Sequence, residues 1–322
     1  MGEIAPLLLG GLILFLYAIT QLSAVMQGIF STKAKFVIEK YTKNIFSAIA
    51  VGTVLTILLD SSSAVIILTI VLINSKVLSF KQAIGIIMGA NIGTTISSQI
   101  IAMDIAKYAI IPLALGLIFE VFATKERTKN IGQILLFGGM LFFGLYLMSE
   151  SVSSLNNSDL FKEWMAKVNN NYIQGTLVGG LITLIIQSSS GTVGMAIVLG
   201  KQNLITVAGG IAIMLGTELG TCADTLLATI KGNRQAIKAG LFHLLFNLLT
   251  IVTGLVFFLP FVDLVQLVSF EQDIGTQIAN AHVLFNVLGV VLFLPFVGWM
   301  EKLLNRVLPD QNLKSNSPPK HP

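Results

Sequence analysis

Long apolar runs recur along the chain over 7–26, 80–103, 108–122, 131–148, 204–230, 236–261 and 278–299. A helix of about 20 residues crosses a hydrocarbon core of roughly 30 Å, and 108–122 sits near the lower limit of that length. The pattern predicts seven full spans. Two further apolar segments, 44–73 and 174–199, are interrupted at their centres by Asp60-Ser61-Ser62-Ser63 and Gln187-Ser188-Ser189-Ser190. Their arms run only about 10–15 residues, short of a crossing, so both read as re-entrant helical hairpins. Irregular backbone at membrane depth is tolerated only inside protein or against a wet cavity, which makes each polar turn a candidate site. The expected fold is an all-α polytopic membrane protein.

Composition agrees with this pattern. Hydrophobic residues make up 54% of the chain, charged residues only 11%, and mean hydropathy is +0.83, outside the range of soluble domains. Charge placement then separates two topologies. With seven spans and two hairpins, 16 of the 20 basic residues fall on one side, leaving Lys107, Lys162, Lys167 and Lys201 opposite. Nine full spans would weaken that partition, so the positive-inside rule favours the hairpins, with the N-terminus outside and the C-terminus cytoplasmic in a cell membrane. The isoelectric point of about 9.1 reflects these loop lysines and gives no support to nucleic-acid binding. Residues 1–6 carry no basic side chain, so the first run reads as a span and not as a cleaved signal. Residues 309–322 are polar and proline-bearing, and read as a disordered tail.

An internal repeat organises the rest. Asp60-Ser-Ser-Ser recurs as Gln187-Ser-Ser-Ser, and Gly89-Ala-Asn91-Ile-Gly93-Thr94 recurs as Gly216-Thr-Glu218-Leu-Gly220-Thr221. The step from 60 to 187 is the same as the step from 91 to 218. Two motif pairs at one spacing indicate duplication. Each unit reads as span, hairpin, span, span, and an odd number of crossings inverts the second unit relative to the first. The expected division is 1–127, 128–262, an extra span in 263–308, and the tail. Inverted repeats with broken helices meeting near the midplane are characteristic of secondary transporters.

The candidate chemistry lies in these motifs. Ser61, Ser62, Ser63, Ser188, Ser189 and Ser190 combine hydroxyls with the free N–H groups of a helix start, an arrangement suited to an anion. Serines that only cap a helix break are the plainer alternative. Paired glycines around Asn91 and Glu218 suggest local unwinding that frees carbonyl oxygens for a hard cation, with a glycine-lined close helix contact as the alternative. Asp60 and Glu218 are intramembrane acids, costly enough to be candidate functional groups. A cation at either would relieve the repulsion between carboxylate and anion and so couple the two. Sodium and proton coupling stay open on this ground. His243 with Asn247 and His282 with Asn286 repeat a His-x-x-Phe-Asn pattern that puts each pair on one helix face, read as cavity lining or as ties to the core. No Walker A or HExxH motif occurs, and the lone Cys222 builds neither an intrachain disulfide nor a thiolate metal site. An enzyme is not expected.

Gln187-Ser-Ser-Ser, Gly89-Ala-Asn-Ile-Gly-Thr-Thr and Ile278-Ala-Asn-Ala-His-Val-Leu-Phe-Asn286 resemble the type II sodium-phosphate cotransporter family, in particular its bacterial branch. The resemblance implies sodium-coupled uptake of inorganic phosphate by alternating access, with no cofactor beyond Na+ as coupling ion. Position by position it points to Ser61–Ser63, Gln187, Ser188–Ser190, Asn91, Thr94, Thr95 and Thr221. Together with the intramembrane acids, the expected phosphate site is the six serines, Asn91 and Thr94, and the expected cation ligands are Asp60, Gln187, Glu218, Thr95, Thr192 and Thr221. Asp60 stands where the family usually has Gln, and Glu218 where its own repeat partner has Asn. Many bacterial relatives carry a C-terminal regulatory domain, which is not expected after Pro309. Phosphate, Na+ and the bilayer are the expected partners, with room for a homodimer and a separate regulatory protein. A dicarboxylate or other anion as substrate, an anion channel, and a membrane partner of a regulatory protein are the competing readings.

Overall fold

A computed structural model describes residues 4–152 and 159–309. The expected tail lies, from residue 310 onward, outside the described residues. The described elements are helical: α1 Ile4–Tyr41, α2 Ile45–Leu59, α3 Ser62–Asn74, α4 Phe80–Ala102, α5 Ile110–Phe122, α6 Glu126–Val152, α7 Asp159–Asn170 and α8 Tyr172–Ile186. They continue as α9 Ser189–Lys201, α10 Val207–Gly220, α11 Cys222–Thr229, α12 Arg234–Val256, α13 Phe258–Val268, α14 Ile274–Phe293 and α15 Val297–Val307. Six helical stretches among them are long and apolar enough to cross a membrane. The chain is therefore an all-α, multi-pass membrane protein.

The run at 108–122, expected as a full span, is a 3-10 turn at Ala106–Tyr108 followed by the 13-residue α5. At 1.5 Å per residue α5 covers about 20 Å, less than a hydrocarbon core. The first helix departs the other way: its 38 residues extend about 57 Å, so its Lys33, Lys35 and Lys40 end continues past the apolar layer.

The two polar turns sit where the pattern put them and share a backbone. Asp60 ends α2 in the left-handed region at φ 49°, ψ 34°, and Gln187 ends α8 at φ 53°, ψ 33°. Each is followed by an extended serine, Ser61 or Ser188, whose Oγ accepts from the N–H three residues on, at 3.1 Å from Ala64 and 3.0 Å from Gly191. The far ends match too, with left-handed Lys76 and Asn203 separated by the same repeat step.

The expected unwinding around Asn91 is absent, since α4 is helical without a break from Phe80 to Ala102. Only the second copy breaks, at Thr221 between α10 and α11. The glycines serve close packing instead. A Cβ on Gly89 would lie 2.0 Å from the Ile49 carbonyl oxygen, and one on Gly216 1.9 Å from that of Thr176, so α2 and α8 press backbone-to-backbone on α4 and α10. Two apolar cores flank this arrangement. One joins the C-terminal half of α1 with α2, α3, α4, α12 and α15 through residues such as Ile38, Ile66, Ile86 and Phe242; the other joins the N-terminal half of α1 with α6, α9, α10 and α14 through Phe15, Leu145, Ile197, Met214 and Phe285. Helices α4 and α10 pack between the helix pairs α2/α3 and α8/α9 and the helices α12 and α14, which buries Asn91, Thr95, Ser98, Thr217 and Glu218 in protein.

Candidate substrate and cation site

Both polar turns, between α2 and α3 and between α8 and α9, open on one cavity of about 70 Å³. Asp60 through Ser63 line one side, Gln187 through Ser190 the other, and Thr94, Ser97 and Thr221 complete the wall. Every lining side chain is polar, none is basic, and one is a carboxylate. Ser61 and Ser188 are engaged as caps, which fulfils the plainer reading for the first serine of each triplet. Ser62, Ser63, Ser189 and Ser190 occupy the first turns of α3 and α9, where backbone N–H groups lack intrahelical acceptors. Two helix starts thus bring their positive ends and four hydroxyls to a hole far smaller than the ~300–1,000 Å³ of sites for drug-sized molecules.

Of the residues singled out from sequence, Asp60, Gln187, the six serines, Thr94 and Thr221 meet at this cavity. Asn91, Thr95, Thr192 and Glu218 do not line it. Thr94 and Ser97 are one turn apart on α4; Asn91 lies a further turn back on the same face, where its Nδ2 donates to Asn247 Oδ1. Thr95 Oγ1 donates to the Ile92 carbonyl at 2.8 Å, and Thr183 Oγ1 donates to Thr192 Oγ1 at 2.8 Å inside the second hairpin.

Glu218 is buried against α14. Asn286 Nδ2 donates to its Oε1 at 2.7 Å, and His282 Nε2 lies 3.0 Å from the same oxygen. On the other side of that ring, His282 Nδ1 is 2.7 Å from Ser98 Oγ. The other His/Asn pair mirrors this: His243 Nδ1 is 2.8 Å from Thr225 Oγ1, and Thr225 is the repeat equivalent of Ser98. Asn247 also donates from Nδ2 to the Glu218 carbonyl at 2.8 Å. Each pair bridges the halves of the chain: α14 touches Ser98 and Glu218, and α12 touches Asn91 and Thr225. The two histidines and two asparagines are ties to the core, one of the two roles their pattern allowed.

Two site residues were missed. Ser97 Oγ donates a short hydrogen bond to Asp60 Oδ1, and Ser63 Oγ donates to Asp224 Oδ2 at 3.4 Å. Ser97 and Asp224 are themselves repeat equivalents, so the repeat spacing applied to every polar residue of the second spans would have found them. The acid changes place between copies: in the first it is on the hairpin tip with serine on the span, in the second Gln187 is on the tip and Asp224 on the span.

The sequence profile described as Na+/Pi-cotransporter matches residues 14–150 and 146–268. The chain belongs to the Na+/Pi-cotransporter family. Phosphate transport is the activity this membership supports, and the family is one of transporters, not enzymes. Among relatives, the chain is 28% identical over 302 residues to the uncharacterized protein YqeW of Bacillus subtilis, covering 92% of this chain and 96% of that one. It is 22% identical to the putative inorganic phosphate export protein YjbB of Escherichia coli K12, covering 91% of this chain but only 54% of YjbB. The human sodium-dependent phosphate transport protein 2B is 34% identical over 99 residues, 30% of this chain and 14% of that protein. No solved structure matches.

Proposed function

We propose that the chain is a sodium-coupled carrier of inorganic phosphate, in which the anion sits between the two hairpin tips and sodium sits on the carboxylates beside it. The carrying observation is the chemistry of the cavity wall: hydroxyls, helix starts and a carboxylate, with no lysine or arginine. At about 4 Å and an effective dielectric near 20, two like unit charges repel by about 4 kcal/mol, close to a thousandfold in affinity. Phosphate beside Asp60 therefore needs a cation first, and Asp224, bonded to the cavity serine Ser63, adds to the repulsion from one residue further back. Sodium at Asp60, with Ser97 and Gln187 as further oxygen donors, and at Asp224, with Ser63 and Thr221, turns the site from repelling to attracting. Sodium and phosphate then bind cooperatively, and movement restricted to the empty and the fully loaded carrier completes the coupling.

The cavity's size fits a compact tetrahedral anion better than a dicarboxylate. Alternating access is assigned to movement of the hairpin-bearing units against a scaffold, the arrangement of inverted-repeat carriers generally. With the basic loops cytoplasmic, the inward sodium gradient of a cell drives uptake, whereas a reversed gradient drives release through the same site. Calorimetric titration of the purified protein with phosphate tests the order of binding. Heat of binding in sodium and none in an equal concentration of choline is expected; equal affinity in both salts would remove the cation from the phosphate site.

A further inference from the structure

A second cavity, of about 210 Å³, lies directly behind the first, and Asp60 and Ser97 line both. Its other lining residues are apolar and come from α1, α2, α4 and α6, including Leu22, Ile57, Ile100, Gly138 and Phe142. Ile57, Ile96 and Ile100 at its rim are exposed on the apolar surface, so the cavity opens sideways toward lipid. An apolar-lined void holds water poorly, and this one ends on an ionisable group. Asp60 accepts one hydrogen bond, from Ser97, and a carboxylate has about four lone-pair sites, so it retains capacity for a second donor. A plain acyl chain fills the apolar volume and leaves that capacity unmet. An alkyl ammonium group carries both the apolar body and three N–H donors of the complementary charge.

We propose that this cavity is a binding site for small amphiphilic amines, entered from the bilayer, whose ammonium group occupies the cation position on Asp60 and so inhibits phosphate transport. The inhibition rests on the reading of Asp60 as a cation ligand; the binding itself does not. Gly138 lines this cavity and not the polar one, and a Cβ added there meets nothing within 4 Å, so an alanine is accepted without a clash and a leucine tests the effect of added bulk.

The test measures hexylamine and hexanol binding, by shift of the thermal midpoint, to the protein in lipid nanodiscs, for wild type, Gly138→Ala, Gly138→Leu and Ile57→Phe. Hexylamine should bind the wild type at least about tenfold more tightly than hexanol, and Gly138→Leu should reduce its affinity at least about tenfold, with Gly138→Ala between. Equal binding of amine and alcohol means that an acyl chain is the natural filler and overturns the proposal, as does amine binding unchanged in all three variants. Sodium-dependent uptake is then measured with hexylamine present. Inhibition relieved by raising sodium supports the shared position at Asp60, and amine binding without sodium competition overturns the inhibitory role while leaving the pocket in place.

Discussion

Ser63 on the first polar turn donates to Asp224 on α11, 161 residues away in sequence, and so joins the first half of the molecule to the second at the edge of the polar cavity. Ser97 makes the corresponding bond to Asp60 within the first half. One carboxylate per half is thus bonded to a serine of the cavity wall, Asp60 lining the cavity itself and Asp224 lying behind Ser63, and on the proposed function the cation dependence of transport should be divided between them.

Asp224→Asn keeps the shape and the Ser63 contact but removes a charge. We expect the half-saturating sodium concentration to rise about tenfold, the equivalent of roughly 1.4 kcal/mol, with maximal flux largely kept. Initial rates of phosphate uptake across a sodium series measure this; an unchanged sodium curve would exclude Asp224 from cation binding.

Ser189→Ala removes a hydroxyl from the second tip without touching either cap. Hydrogen bonds to charged groups contribute about 1.5–3 kcal/mol, so KM for phosphate should rise roughly 10- to 100-fold at saturating sodium. The result that would count against the site is a normal KM for phosphate in a protein that still folds.

Glu218→Ala strips the carboxylate from His282 and Asn286, leaving buried polar groups unmet, and should cost about 3–5 kcal/mol of stability. Glu218→Asn, which copies Asn91 at the equivalent position, should cost clearly less. Chemical denaturation in detergent gives both values. A changed sodium dependence with no loss of stability would return Glu218 to the cation site.

Val65→Thr should stabilise the protein. Thr56 Oγ1 is buried without a partner, whereas its counterpart in the second repeat, Thr183, donates to Thr192. Position 65 is the equivalent of 192, and a threonine there supplies the missing acceptor, for a gain of about 1 kcal/mol, read as a higher unfolding midpoint. An unchanged or lower midpoint would mean that the two hairpins differ in packing and not only in this residue.

The two helix breaks at Asp60 and Gln187 were legible because polar tetrads in the middle of apolar runs have few physical explanations, and two at one spacing have fewer. Glycines are ambiguous by nature: Gly89 and Gly216 permit either a bend or the close approach of another backbone, and only the positions of Ile49 and Thr176 decide for the approach. Glu218 looked like a cavity acid for the same reason that Asp60 did, as a carboxylate in an apolar run. Which side of α10 it occupies depends on α14, which lies much later in the chain. Ser97 and Asp224 were overlooked because a single serine or aspartate in a span carries no local signal. Their meaning comes from the repeat, which pairs them with each other.

Flux in sealed liposomes tests the central claim most directly. The purified protein is reconstituted, and accumulation of labelled phosphate is followed under an imposed sodium gradient, a proton gradient, or neither. Accumulation above equilibrium with the sodium gradient alone, lost when the sodium gradient is collapsed, is the predicted result. Phosphate entry that never exceeds equilibrium, or that follows only the proton gradient, would contradict sodium coupling at Asp60 and Asp224.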